Sequence, residues 1–155
     1  MNEHQMKDRI DALCQAEADC SFDGPASPES VKQVEDKLGV RLPDEFRQFL
    51  QLFGGGGPIC FAISGIYGTS PLEAGGGTVL GDTLLFRSKF NLPSHLVVIQ
   101  RDWDDNDAHC LDLSRSNGNT SPVVGFDLFH GTVTKVAKTF EEYFMAFTEP
   151  YVDGG

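Results

Sequence analysis

Residues 31 to 55 constrain this chain most. Val31, Val34 and Leu38 recur at helical spacing and stop at Gly39, while Leu42, Phe46, Phe49, Leu50 and Phe53 form a second apolar stripe that stops at Gly54 and Gly55. Glycine adopts the left-handed turn that ends a helix, so the pattern predicts two helices back to back. Pro43 fits the first helical position of the second helix, and Asp44 and Glu45 suit its positive end.

Other elements follow from the same logic. Met6, Ile10, Leu13 and Cys14 mark a first amphipathic helix that stops before Asp23-Gly24-Pro25. Ser27 ahead of Pro28 and Glu29 starts the Val31 helix. Beyond the four glycines at 54 to 57 the period changes to that of a strand, with Ile59, Phe61 and Ile63 on one face. Residues 69 to 77 form a loop, and Leu80, Leu84, Leu85, Phe86 and Phe90 indicate a shorter helix ending near Asn91-Leu92-Pro93. Strands are predicted at Leu96 to Gln100 and Ala108 to Leu113, joined by the acidic loop Asp102 to Asp107, then at Val123 to Asp127 and Thr132 to Val136 around a turn at His130-Gly131. Thr139 and Glu142 have capping-box spacing for a last helix, whose face of Phe140, Tyr143, Phe144 and Phe147 precedes Pro150.

Size and charge exclude several functions. A chain of 155 residues holds one domain with a sizeable core, and twelve phenylalanines argue for a packed globule. The formal net charge of -11 opposes binding of nucleic acid through phosphates and favours a basic protein partner. Residues 1 to 50 carry eleven acids and six bases, 51 to 101 two and three, and 102 to 155 ten and three, so the acidity lies in the flanking thirds. No run of about eighteen apolar residues occurs, which reads as a cytoplasmic protein without a membrane span. Cys14, Cys20, Cys60 and Cys110 make neither a zinc knuckle nor a disulfide framework and read as free thiols.

Local motifs point away from catalysis. The glycine run at 54 to 57 follows a helix and leads into a strand, the reverse of a phosphate loop, and no Gly-Lys-Ser or Gly-Lys-Thr follows. Asp102-Trp103-Asp104-Asp105-Asn106-Asp107 resembles the start of a calcium loop, but Asp107 stands where glycine is needed and Leu113 where a bidentate glutamate is needed. The stretch then reads as a solvated hairpin tip or a protein-contact loop. Trp103 tips the reading toward contact, because aromatic residues are enriched at interface centres, although it could equally fold back as a core plug. His109, Cys110 and Asp112 contain the parts of a nucleophilic site, but in a strand 109 and 110 face opposite sides, which leaves a buried Cys110 beside a surface His109. No histidine spacing makes a metal motif, and no cofactor is indicated.

The order of these signals resembles the SUKH superfamily. Its marks are Leu38-Gly39, Leu42-Pro43, Phe46, Leu50, the glycines at 54 to 56, Gly65-Ile66, Leu92-Pro93 before a strand and the late helix at Phe140, together spanning roughly residues 28 to 147. Where many relatives place Asn before the glycine pair, this chain has Gly54. The resemblance implies a single α+β domain over residues 1–155: a curved antiparallel sheet of five to six strands, with N-terminal helices and a C-terminal helix packed around it and residues 1–27 adding a helix and loop. It implies an immunity protein that neutralises the toxic domain of a bacterial toxin, often a nuclease, and no catalytic residue. The expected partner is therefore a basic toxin domain, bound by a monomer or weak homodimer. Asp102, Trp103, Asp104, Asp105 and Asp107 are the expected contacts, with Glu73 and Asp82 added from the other long loop. A regulatory interaction module of the cell-wall-synthesis type and a small metal-dependent hydrolase are the alternatives.

Overall fold

The computed structural model describes residues 1–17, 19–58, 62–67, 70–102 and 106–152, the Asp102 side chain excepted. Its elements in chain order are α1 (Glu3–Ala16), β1 (Cys20–Phe22), α2 (Pro28–Leu38), α3 (Asp44–Phe53), β2 (Gly56–Pro58), α4 (Val79–Lys89), β3 (Leu96–Asp102), β4 (Asp107–Asp112), β5 (Val123–Asp127), β6 (Val133–Ala137) and α5 (Phe140–Val152). The helices and strands are those expected for an α+β domain. Among the described residues, no helix is long and apolar enough to cross a membrane.

Local chemistry sets the helix ends. Ser27 Oγ accepts the Ser30 N–H at 3.1 Å and Pro28 sits just inside α2, whereas Gly39 at φ 70° closes it. Pro43 lies one residue earlier than expected, flanking α3 rather than opening it. The first two N–H groups of α3 are instead taken by distant carbonyls, Asp44 N–H by Gly118 at 3.0 Å and Glu45 N–H by Asn119 at 2.9 Å. Glu35, on the buried side of α2, accepts the Leu42 N–H at 2.7 Å and so pins the α2–α3 turn. Thr139 Oγ1 accepts the Glu142 N–H at 3.0 Å, as its spacing predicts, while the Glu142 carboxylate reaches back to the Lys138 N–H at 2.6 Å. Helix α5 runs two residues past Pro150 instead of ending before it. Packing against α1, with Arg9 Nη1 donating to Thr148 Oγ1 at 3.0 Å, holds that last turn despite the missing proline N–H.

The strands divide between two antiparallel sheets, a pair β1–β2 and a four-stranded sheet ordered β3-β4-β5-β6, rather than forming one sheet. Strand β1 was not expected. It arises because α1 turns directly into residues that pair with the glycine run, with Ser21 opposite Gly57 and Phe22 opposite Gly56. Part of the strand expected at 59 to 63 lies outside the described residues, and Ile63 makes only a bridge to Gly56. Cys14 and Cys20 form a disulfide, their Cα atoms 5.0 Å apart, which corrects the expectation of free thiols there.

The large sheet is covered on both faces. One face carries Val97, Ile99, Leu111 and Val123 against Phe46, Phe49, Phe140 and Phe144 from α3 and α5. Ring centroids 5.1 Å apart for Phe46 and Phe140, and 5.5 Å for Phe49 and Phe140, lock these helices together. The other face carries Leu96, Val98, Cys110, Val124 and Phe126 against Phe86 and Leu92. Alternation along each strand thus feeds two cores.

Candidate protein interface

Of the residues expected to contact a partner, Trp103, Asp104 and Asp105 lie outside the described residues. Asp102 occupies the last register position of β3, opposite Asp107, and Asp107 in turn stands opposite Asp127 on β5. Three aspartates therefore cross one end of the sheet in a row. Glu73 is exposed, and a side chain on Gly76 in its loop would come within 3.1 Å of the Arg101 guanidinium, which is turned toward Asp82 and Phe86 of α4.

Asp82 is a correction. It sits in the first turn of α4, only 1% exposed, and cannot touch a partner. Its carboxylate accepts the Ser64 hydroxyl at 2.8 Å and the Gly77 N–H at 3.3 Å and pairs with Arg101 Nε at 3.3 Å. The acid ties the long loop to α4 and β3. Burial pushes its pKa up, against the lowering effect of Ser64, Arg101 and Gly77. A raised pKa means that the neutral form is favoured by folding, so this stabilising contribution is full below the ordinary carboxylate range and is lost as pH rises through the raised value. The thermal midpoint of Asp82→Asn, relative to wild type, is therefore expected to improve as pH rises from about 4. A difference between the two proteins that does not vary with pH would contradict this.

The turn between β5 and β6 supplies residues that sequence reading missed. Its tip meets the acidic hairpin directly, Leu128 N–H donating to the Asn106 carbonyl at 3.0 Å. Asp127 Oδ1 accepts the N–H groups of Phe129 and His130, each at 2.9 Å, and Oδ2 lies 3.2 Å from His130 Nδ1. These bonds to His130 and Phe129 hold the Asp127 carboxyl below its usual range. They also hold Phe129 outward, 70% exposed. The available signal was an aspartate two residues before the aromatic, an Asx-turn spacing.

Between these tips and α5 the sheet face narrows to the buried Gly125. Gly125 leaves room for its neighbours: a Cβ there would stand 3.1 Å from Asp107 Oδ2 and 3.0 Å from Thr134 Oγ1. The face continues into a groove of about 320 Å³ lined by His109, Val136, Glu142, Tyr143 and Phe147. His109 is half-buried there rather than a surface residue, with Nδ1 2.9 Å from the Tyr143 hydroxyl. Because that hydroxyl donates its one proton to Gln100 Oε1, Nδ1 is the donor to Tyr143. Burial pushes the Tyr143 hydroxyl up, with a smaller contribution from Cys110.

Cys110 is buried on the opposite side of the sheet from His109, and desolvation, reinforced by Asp107, raises its thiol pKa far above the range of a nucleophile. Among the described residues, no three His, Cys, Asp or Glu side chains converge as metal ligands. What the sheet presents at this end is carboxylate and aromatic surface on a two-core scaffold. The family model described as SMI1 / KNR4 family (SUKH-1) matches residues 25–146, and the chain belongs to that family.

Proposed function

We propose that this chain is an immunity protein that binds the toxic domain, of nuclease type, of a cognate bacterial toxin and covers its substrate groove. The observation that carries the reading is the facing pair Asp107 and Asp127 at the sheet's end, next to an outward-held Phe129. A nuclease groove is positive because it must hold phosphate, so a carboxylate row offers it a substitute for nucleic acid, and an exposed aromatic supplies apolar contact at low entropy cost. The net charge of -11 extends the attraction beyond contact range, with steered association reaching on the order of 10⁸ M⁻¹s⁻¹ at low salt. Asp102, Trp103, Asp104, Asp105 and Glu73 belong to the same proposed surface. The protein acts in the cytoplasm as a monomer or weak homodimer, without turnover of its own.

The test is to look for a gene beside this chain's that encodes a toxic C-terminal domain, and to co-express that domain with the chain. Growth restored by the chain, and recovery of a one-to-one complex, are expected. Unrelieved toxicity with no complex would refute the reading. The SMI1 / KNR4 part of the family description supports a second reading, a regulatory binding module, which predicts a stable complex with another protein and no protection from toxin.

A further inference from the structure

The two edges of the four-stranded sheet differ. On β3 the outward backbone groups are occupied: the Val98 N–H donates to Thr83 Oγ1 at 3.0 Å, the Leu96 N–H to the Pro93 carbonyl at 3.0 Å, and the Ile99 carbonyl accepts the Ser64 N–H at 2.7 Å. Strand β6 ends the sheet order, and all but the last of its residues are exposed. Its outward groups can be assigned. The Asp127 N–H donates to the Thr132 carbonyl at 2.9 Å, so that pair is hydrogen-bonded, and antiparallel alternation makes Gly125–Thr134 the next such pair. Val133 and Lys135 then point their N–H and C=O groups away from β5. Among the described residues no strand pairs with them.

Chemistry at this edge selects an occupant. A residue added opposite Thr134 would share the face that carries Gly125, Asp107 and Asp127. With strands about 4.8 Å apart, its Cβ would lie roughly 10 Å from the Gly125 position, beyond Thr134, whose Oγ1 closes over that glycine together with the Asp107 carboxylate. An extended lysine or arginine side chain reaches roughly 5 to 6 Å of that way, which carries its charge past Thr134 and toward, without touching, the Asp107 carboxylate that leans over Gly125. Its two neighbours would face the other side of the sheet, against Val133 and Lys135, where an apolar and an acidic residue fit. A second copy of this chain does not meet the requirement: pairing β6 with itself about Thr134 sets threonine opposite threonine and brings together two chains of net charge -11.

Resting on the toxin-binding reading above, we propose that β6 is a docking edge, to which an extended segment of the basic partner adds as a fifth strand with a lysine or arginine opposite Thr134. The test uses the full chain and the purified toxic domain identified by the co-expression experiment above. Lys135→Pro removes one outward N–H and leaves the inward bonds of Thr134 in place, whereas Lys135→Ala removes only the charge. Lys135→Pro is expected to weaken binding about tenfold or more and Lys135→Ala by no more than about threefold. Val133→Pro serves as a second block. In the wild-type complex, the Val133 and Lys135 amides are expected to gain protection from hydrogen exchange, a readout that needs no variant to fold. Wild-type affinity in both proline variants, with no added protection, would overturn the docking edge. If Asp107→Lys still weakened binding in that case, the toxin-binding reading would stand. No binding by the wild-type chain would remove both. Self-association of the free chain that Lys135→Pro abolishes would also overturn the proposal, by giving the edge to a second copy.

Discussion

Gly65→Ala is expected to cost about 3 kcal/mol or more of stability, the upper range for forcing atoms into a packed site. A Cβ at this position would run into the Gly54 carbonyl oxygen and come within 2.7 Å of both the Gly54 carbonyl carbon and the Gly55 Cα. Every obstacle is backbone, so no rotamer change relieves it. The same two segments are joined by the bond from the Ile66 N–H to the Gly54 carbonyl at 2.6 Å, and the Gly65 N–H is held on its other side by the Gly77 carbonyl at 3.0 Å. For a chain of this length the thermal midpoint should fall by roughly 6 to 12 °C. Gly75→Ala is the control. Its only near neighbour is a Glu73 carboxylate oxygen at 4.0 Å, and its effect should stay within about 0.5 kcal/mol. Gly65→Ala melting like wild type would contradict the close approach of these backbones.

Reversing both facing charges, Asp107→Lys with Asp127→Lys, is expected to weaken toxin-domain binding about a hundredfold or more at low salt. Two favourable charge contacts become repulsive at the centre of the proposed interface. The effect on folding should be far smaller. Asp127→Lys loses the exposed bonds to the Phe129 and His130 N–H groups, and one pair of facing like charges replaces another, so that cross-strand term changes little. Isothermal titration at two salt concentrations separates the causes. A charge effect shrinks with salt, whereas a folding defect does not. Unchanged affinity in the double variant would move the interface away from this end of the sheet.

Much of the fold could be read from local chemistry, because caps, glycine stops and apolar periods act within a few residues. That is why α2, α3, α4 and α5 and the four strands of the large sheet fall close to where their patterns place them. What was hidden depends on distant partners. The start of α3 is capped by Gly118 and Asn119, more than seventy residues away, and the glycine run pairs with β1 because Ser21 and Phe22 happen to reach it. The site divides in the same way. The acidic hairpin stood out by composition, but Asp127 and Phe129 join it only through the β4–β5 register. Asp82 misled because a carboxylate after a glycine-rich loop resembles a surface residue. Its place on the buried side of α4, between Val79 and Phe86, needs Ser64 and Arg101 to complete it.

The most direct test is titration of the nuclease activity proposed for the partner's toxic domain with the purified chain at several salt concentrations. Activity is expected to vanish at one equivalent in low salt and to return progressively as salt weakens the complex. Full nuclease activity in the presence of excess chain, or inhibition that salt leaves unchanged, would contradict an acidic surface acting as the antidote.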